Sequence, residues 1–211
     1  MLNKKRENFR VEIKEKILKS SIKLFMENGF FEVSIRDIFK QININKSAFY
    51  KYFKSKDELI YKVIEEFCSP YFDEIIGTTN LCNESAKKKL KTIFIKYCGI
   101  IPYLKKILNI NRFNYIAVTF ITIEGLKSYE NKNLVNDFNY RLLEGIDNVV
   151  EEGKELGEIL PAIDSLSTSK SIVSMLQSSM VLWAMNQNID INLLFKTNFK
   201  YLWKSIGVSP I

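Results

Sequence analysis

The chain contains no histidine. That absence removes Ser-His-Asp and Cys-His nucleophilic machinery, histidine-bearing metal sites and an imidazole pH switch. Cysteine is nearly as scarce. Cys68, Cys82 and Cys98 are odd in number and lack CxxC spacing, which suits neither a disulfide framework nor a zinc site. They read as reduced, mostly buried thiols, with a redox sensor at Cys82, in a polar loop, as the open alternative. Only 8 Gly and 4 Pro occur, and no region alternates β-branched residues strictly, so strands find little support. Neither a P-loop nor GxGxxG is present. No pairing of carboxylates or lysines stands out as catalytic, so an enzyme is not expected, nor a cofactor or a metal. The opening residues, MLNKKRENFRVE, lack the apolar stretch of a signal peptide, and the expected location is cytoplasmic.

What is present points to a helical globular protein. The 211 residues suffice for one domain or two small ones, and 46% apolar against 26% charged residues is a folded profile. Apolar positions recur mostly at three and four, which makes the expected class all-α. The net charge of +7 is uneven. Residues 1–66 hold 15 Lys and Arg against 10 Asp and Glu, whereas residues 67–211 hold 16 against 14. A basic excess in the first third favours a polyanion, either nucleic acid or an anionic membrane surface.

One stretch concentrates the signals, NINKSAFYKYFKSKDEL over residues 43–59. A helix over residues 46–53 is too short to stand alone in water, so Phe49 and Phe53, four apart on one face, must anchor it. Its other positions mix cations, small groups and phenols, which suit phosphates and groove edges. Asn45 is placed to cap it, and Ser55-Lys56-Asp57-Glu58 has capping-box spacing for the next helix. By itself the stretch fits a surface helix of a bundle as well as a reading head.

Along the chain, a helix is expected over residues 11–28 with Ile13, Ile17, Leu24 and Phe25 inward and Gly29 at its C-terminal cap. A second follows the Ser34/Asp37 capping box to about residue 42, with Asn43 in the turn, where positive φ is tolerable. Two helices joined by so short a turn match a helix-turn-helix. The helix after Ser55 is expected to run to residue 75 or 76, bent at Pro70 and ended by Gly77. Further helices are expected over residues 86–101 (broken by Pro102), 103–110, 113–126, 134–156, 167–186 and 191–206.

The residues GFFEVSIRDI over 29–38 and INKSAFYKYFKSKDEL over 44–59 resemble the N-terminal DNA-binding domain of the TetR family of transcriptional regulators. The resemblance covers about residues 13–64, and Tyr-x-Tyr-Phe-x-Ser-Lys-x-Glu-Leu over 50–59 is its most specific part. Asn43 stands where the family usually has glycine, and Ala48 where it commonly has a hydroxyl. The resemblance implies a three-helix DNA-binding domain over 1–55 and a helical effector-binding and dimerisation domain over 56–211. It also implies a repressor that reads a near-palindrome in duplex DNA and is released by a small molecule. Lys46, Ser47, Ala48 and Lys51 would then face base edges, and Ser34, Tyr50, Tyr52 and Lys56 the phosphates, with Asn45 at the same surface.

Downstream, Phe94, Tyr97, Tyr103, Phe113, Tyr115, Phe120 and Trp183 are either lining of an effector pocket or plain core, and Glu124 is a candidate counter-charge. From Ser171 to Ile189 the chain carries no charge, yet its serines and amides make it too polar for a membrane span. A helix uncharged all round is buried all round. Ile172, Leu176 and Trp183 would face its own domain, and Val173, Met180 and Ala184, with Leu202 of the last helix, a second copy. A homodimer through a four-helix bundle is the expectation, and a central helix inside a monomer the alternative. An effector-free architectural DNA-binding protein and a membrane-surface binder remain as rival readings.

Overall fold

The computed structural model describes residues 2–81, 83–114, 116 and 134–208, and every element in it is helical. Tyr115, Phe120, Glu124 and Cys82, named above, lie outside the described residues. The helices are α1 (Leu2–Asn28), α2 (Ile35–Gln41), α3 (Lys46–Tyr50), α4 (Lys56–Val63), α5 (Ser69–Leu81), α6 (Ala86–Tyr97), α7 (Ile100–Leu108), α8 (Leu134–Glu155), α9 (Ser165–Met185) and α10 (Ile191–Ile206). Ile159 and Gly207 form an isolated antiparallel bridge, with Leu160 N–H on the Ile206 carbonyl and Val208 N–H on the Glu158 carbonyl, both 2.9 Å. The expected all-α architecture, a helix-turn-helix head followed by a helical bundle, is what the chain adopts.

Several helix boundaries differ from the sequence expectation. α1 begins at Leu2 rather than near residue 11 because nothing in LNKKRENFR breaks a helix. Gly77 lies inside α5, where no nearby group demands a positive φ and none crowds its Cα. Pro70 sits second in α5, and the chain accommodates it by widening into a π-helical turn, Ile64–Cys68, just before it. Pro102 does not break a helix. It occupies the first turn of α7, where its missing N–H has no partner to lose, and the break falls at residues 98–99 instead.

The chain divides into two compact units, Met1–Cys68 with Leu104–Val135, and Ser69–Tyr103 with Asn136–Ile211. In the first, α1 packs on α2 and α4, and α2 on α3. Ile17, Ile22, Phe25, Ile38, Phe49, Phe53 and Leu59 are buried at its centre. Ile13 and Leu24, expected inward, are only half-buried, while Leu18 and Met26 are buried. Gly29 N–H takes the Phe25 carbonyl at 2.9 Å and Asn114 N–H the Met26 carbonyl at 2.5 Å, which satisfies two of the carbonyls left over at the end of α1.

In the second unit, α5 and α10 pack on α6, and α9 on α10. Its core joins Leu90, Ile93, Phe94, Leu142, Val149, Ile172, Leu176 and Phe195. Lys89, 3% exposed, is paired to Glu152 at 2.6 and 2.8 Å, as a buried cation must be. Gly153 is required by close approach, since a Cβ there would lie 2.7 Å from Ala86 Cβ and from Ile159 Cδ1. Gly157, at φ 72°, then turns the chain towards the bridge.

Candidate nucleic-acid interface

The head is assembled from local hydrogen bonds. Ser34 and Asp37 form the expected capping box, with Asp37 N–H on Ser34 Oγ at 3.2 Å and Ser34 N–H on Asp37 Oδ2 at 2.9 Å. The Ser34 hydroxyl also donates to Asp37 Oδ2 at 2.5 Å. These bonds, the Ser34 hydroxyl first, hold the Asp37 carboxyl below the usual carboxylate range, with Lys40 and Arg36 adding to them.

At the other end of α2, Asn43 adopts φ 55°. Asn43 N–H bonds the Lys40 carbonyl at 3.1 Å and Ile44 N–H the Phe39 carbonyl at 2.9 Å. This is a Schellman closure with Asn in the left-handed position, so the departure from glycine is accommodated by the residue type best able to do so. Asn45 then caps α3, its Oδ1 accepting Ala48 N–H at 2.7 Å. The helix ends at Tyr50 rather than Phe53, because Lys51 and Tyr52 tighten into bonds three residues back, on Ala48 and Phe49. Ser55 caps α4 by accepting Glu58 N–H at 3.0 Å, but the reciprocal arm is shifted. The Glu58 carboxylate takes Lys54 N–H at 2.6 Å, one residue further out.

This scaffold divides α3 sharply. Phe49 and Phe53 are 0% and 1% exposed, their rings 5.9 Å apart. Asn45, Lys46, Ser47, Tyr50 and Lys51 are exposed, and Ala48 and Tyr52 half-buried. The Lys46 ammonium lies 5.9 Å from the centre of the Tyr50 ring. The result is a small solvent-facing surface of two cations, two hydrogen-bonding side chains and a phenol on a rigidly anchored helix. Lys56 behaves differently from a free phosphate grip. Its ammonium donates to the Phe30 carbonyl at 2.5 Å and lies 4.0 Å from the centre of the Phe30 ring. Nothing local in the sequence signals this bond, which joins residues 26 apart.

The other candidates scatter. Phe94 and Tyr97 are buried in the core of the second unit against Phe195, at 6.2 and 6.3 Å between ring centres, and burial pushes the Tyr97 phenol up. The Tyr103 ring lies 4.7 Å from that of Tyr71, tilted by 33°, Phe113 is buried, and Trp183 is half-buried. Of the proposed dimer contacts, Val173 and Met180 are half-buried against their own core. Ala184 and Leu202 are buried at 8% and 4%, because the registers of α9 and α10 turn them inward. The exposed large apolar side chains on these helices are Leu166, Val181, Leu182, Met185, Leu193 and Tyr201. Cys68 and Cys98 are free, and the surroundings of the Cys68 thiol push it up to about 12. Among the described residues, no group of His, Cys, Asp and Glu could hold a metal ion, and no helix is long and apolar enough to cross a membrane.

The sequence model of bacterial regulatory proteins of the tetR family matches residues 17–63, the span just described. The fatty acid metabolism regulator protein of Bacillus subtilis is 21% identical over 170 residues, covering 81% of this chain and 82% of that protein. The biofilm operon negative transcriptional regulator IcaR of Staphylococcus aureus is 38% identical over 64 residues, which is 30% of this chain and 34% of IcaR. Among solved structures, FadR from Bacillus subtilis in complex with stearoyl-CoA superposes with a TM-score of 0.72 at 20% identity, over 91% of this chain and 98% of that one, a likeness of fold. The capped head and its sequence match make residues 17–63 a helix-turn-helix domain of the tetR family of bacterial regulatory proteins, carried on a chain whose helical fold is shared with FadR.

Proposed function

We propose that the protein is a cytoplasmic homodimeric repressor that binds a near-palindromic operator and is released by a small-molecule effector. Reading belongs to residues 1–55, and effector binding and dimerisation to 56–211. The observation that carries the proposal is the division of α3 into a buried anchor and an exposed polar surface. Such a helix presents Lys46, Ser47, Ala48 and Lys51 to base edges in a major groove, where lysine reaches guanine acceptors and the Ala48 methyl meets a thymine methyl. Tyr50, Tyr52, Lys56 and Ser34, near Asn45, hold the backbone. Ser34 and Lys56 do so while also bonded within the head, which couples phosphate contact to its geometry.

An effector among the aromatic residues of 56–211 is supported by a relative of the same fold solved with stearoyl-CoA. The candidate lining is Phe94, Tyr97, Tyr115, Phe120 and Trp183. Repression is relieved only by a ligand that prefers the state in which the two heads no longer match the half-sites.

The test is selection of bound fragments from a random duplex pool, with and without extracted metabolites. A two-fold-related motif lost in the presence of extract is the expected result. Substituting Lys51 or Ala48 should change which bases are preferred. A uniform loss at every site would assign both residues to the backbone instead.

A further inference from the structure

A groove of about 450 Å³ runs along the outer seam of α6 and α10 in the second unit. Its rims are lysines, Lys87 and Lys91 on α6 and Lys196, Lys200 and Lys204 on α10. Its floor is apolar, with Phe94 and Ile95 from α6 and Phe199 and Trp203 from α10. Phe199 and Trp203 stack at 6.2 Å and 24°, and Ile95 is 49% exposed. No carboxylate lines it. Among the described residues none of the five ammonium groups is paired with one, and the Lys87 ammonium instead lies 5.4 Å from the centre of the Trp203 ring. Residues 67–211 as a whole are close to balanced in charge, so the five lysines are a local segregation.

The spacing explains how the cations gather. Lys87 and Lys91 are four apart, as are Lys196, Lys200 and Lys204, so each set forms a stripe beside the seam. Like charges at that spacing repel on each helix, and the two stripes face one another across an aromatic floor. An arrangement that costs stability in the empty protein becomes favourable when an anion lies between the stripes.

The side of α10 that forms the seam is not the side that meets α9. Asn198 bonds Ser179 of α9 at 2.8 Å, and by helical register Leu194 and Tyr201 share its side, whereas Lys196, Phe199, Lys200 and Trp203 lie on the other. A second copy covering the exposed ends of α9 and that flank of α10 leaves the groove open.

We propose that this seam is a binding site for a small amphipathic anion, with the apolar body on Phe94, Phe199 and Trp203 and the acidic group between the lysine rows. Size selects a small molecule. The volume falls within the range of ligand sites, about 300–1,000 Å³. The seam runs only from Lys87 to Ile95 along α6, about 12 Å at 1.5 Å per residue, whereas a stable protein partner needs about 800 Å² on each side. A concave floor also fits an isolated chain or ring better than a flat lipid surface.

The probe is dodecanoate, kept below the concentration at which it forms micelles. It is titrated into the full chain carrying Trp183→Phe, so that Trp203 is the only tryptophan, and by calorimetry into the unsubstituted chain. Saturable change in Trp203 emission is expected, with matching heat. Lys91→Glu combined with Lys200→Glu, both exposed positions, should weaken binding at least tenfold with helix content unchanged. Dodecanol should bind at least tenfold more weakly than dodecanoate, and inorganic phosphate should not occupy the site at comparable concentration. Undiminished binding to the charge-reversed variant overturns the proposal, as does equal affinity for dodecanol. Binding to phosphatidylglycerol vesicles without binding of the monomeric probe overturns it in favour of a membrane surface. Gel shift on duplex DNA reads a separate part of the molecule, so failure of the groove and failure of the reading head are distinguishable.

Discussion

The ammonium of Lys56 donates a 2.5 Å hydrogen bond to the carbonyl of Phe30 and lies 4.0 Å from the centre of the same residue's ring. One side chain at the start of α4 thereby fixes the turn that links α1 to α2. Lys56→Met keeps the apolar stem and removes both interactions. It should destabilise the head by about 1–3 kcal/mol, the range for leaving a buried acceptor without its donor. If Lys56 also touches a phosphate, affinity for all duplexes should fall alike and the salt dependence flatten by about one unit of slope. Denaturation and salt-titrated gel shifts measure the two effects separately. An unchanged salt slope would leave Lys56 with a structural role alone.

Phe49 is fully buried on the inner side of α3. Phe49→Ala should cost about 3–5 kcal/mol of stability, through lost burial and the cavity left behind. DNA binding should disappear even though the side chain never reaches solvent. Urea denaturation followed by circular dichroism checks the first part, and a gel shift the second. A stable variant that still fails to bind would mean that Phe49 acts other than as an anchor.

Asn43 closes α2 at φ 55°. Asn43→Ala should destabilise by about 1–2 kcal/mol, since a Cβ without a local hydrogen-bonding group is disfavoured in the left-handed region. Asn43→Gly should be neutral or stabilising. Thermal melts of the pair test this, and equal loss in both variants would mean that the Asn43 side chain, not its backbone angle, holds the turn.

The Asp37 and Asp164 carboxyls are both held below their ordinary value of 3.8, chiefly by hydrogen bonds from Ser34 and from Ser167. A carboxyl depressed in the folded state stabilises it fully above the unfolded value and ceases to do so as pH falls through the folded value. Stability should therefore be level above about pH 5 and decline in acid. Asp37→Asn with Asp164→Asn keeps a capping side chain and removes the titration, so its melting temperature should vary less between pH 5 and pH 3. An identical acid profile would place the responsible groups elsewhere.

Met185 is 78% exposed and Leu182 49%, at the end of a helix with no charged residue from Ser171 onward. Leu182→Glu with Met185→Glu should shift the protein from dimer to monomer in sedimentation while the helices persist. An unsubstituted chain that sediments at 24.7 kDa at every concentration would remove the dimer altogether.

What could be read from the residues alone was local. The caps at Ser34, Asn45 and Ser55, the left-handed turn at Asn43, the anchoring pair Phe49 and Phe53, and the bounds of α10 all depend on bonds or spacings within five residues. Composition and helical period carry that information directly. What tertiary packing decided were relations across long stretches of chain. Lys56 turned to Phe30. Pro102 settled harmlessly into a first turn once Gly99 supplied the break. Ala184 and Leu202 faced their own core, because two neighbouring helices determine which part of an uncharged surface is covered. The lysines of α6 and α10, about a hundred positions apart, became the rims of one groove. Hydrophobic period tells a helix which residues to bury, but only the packed neighbours decide against what.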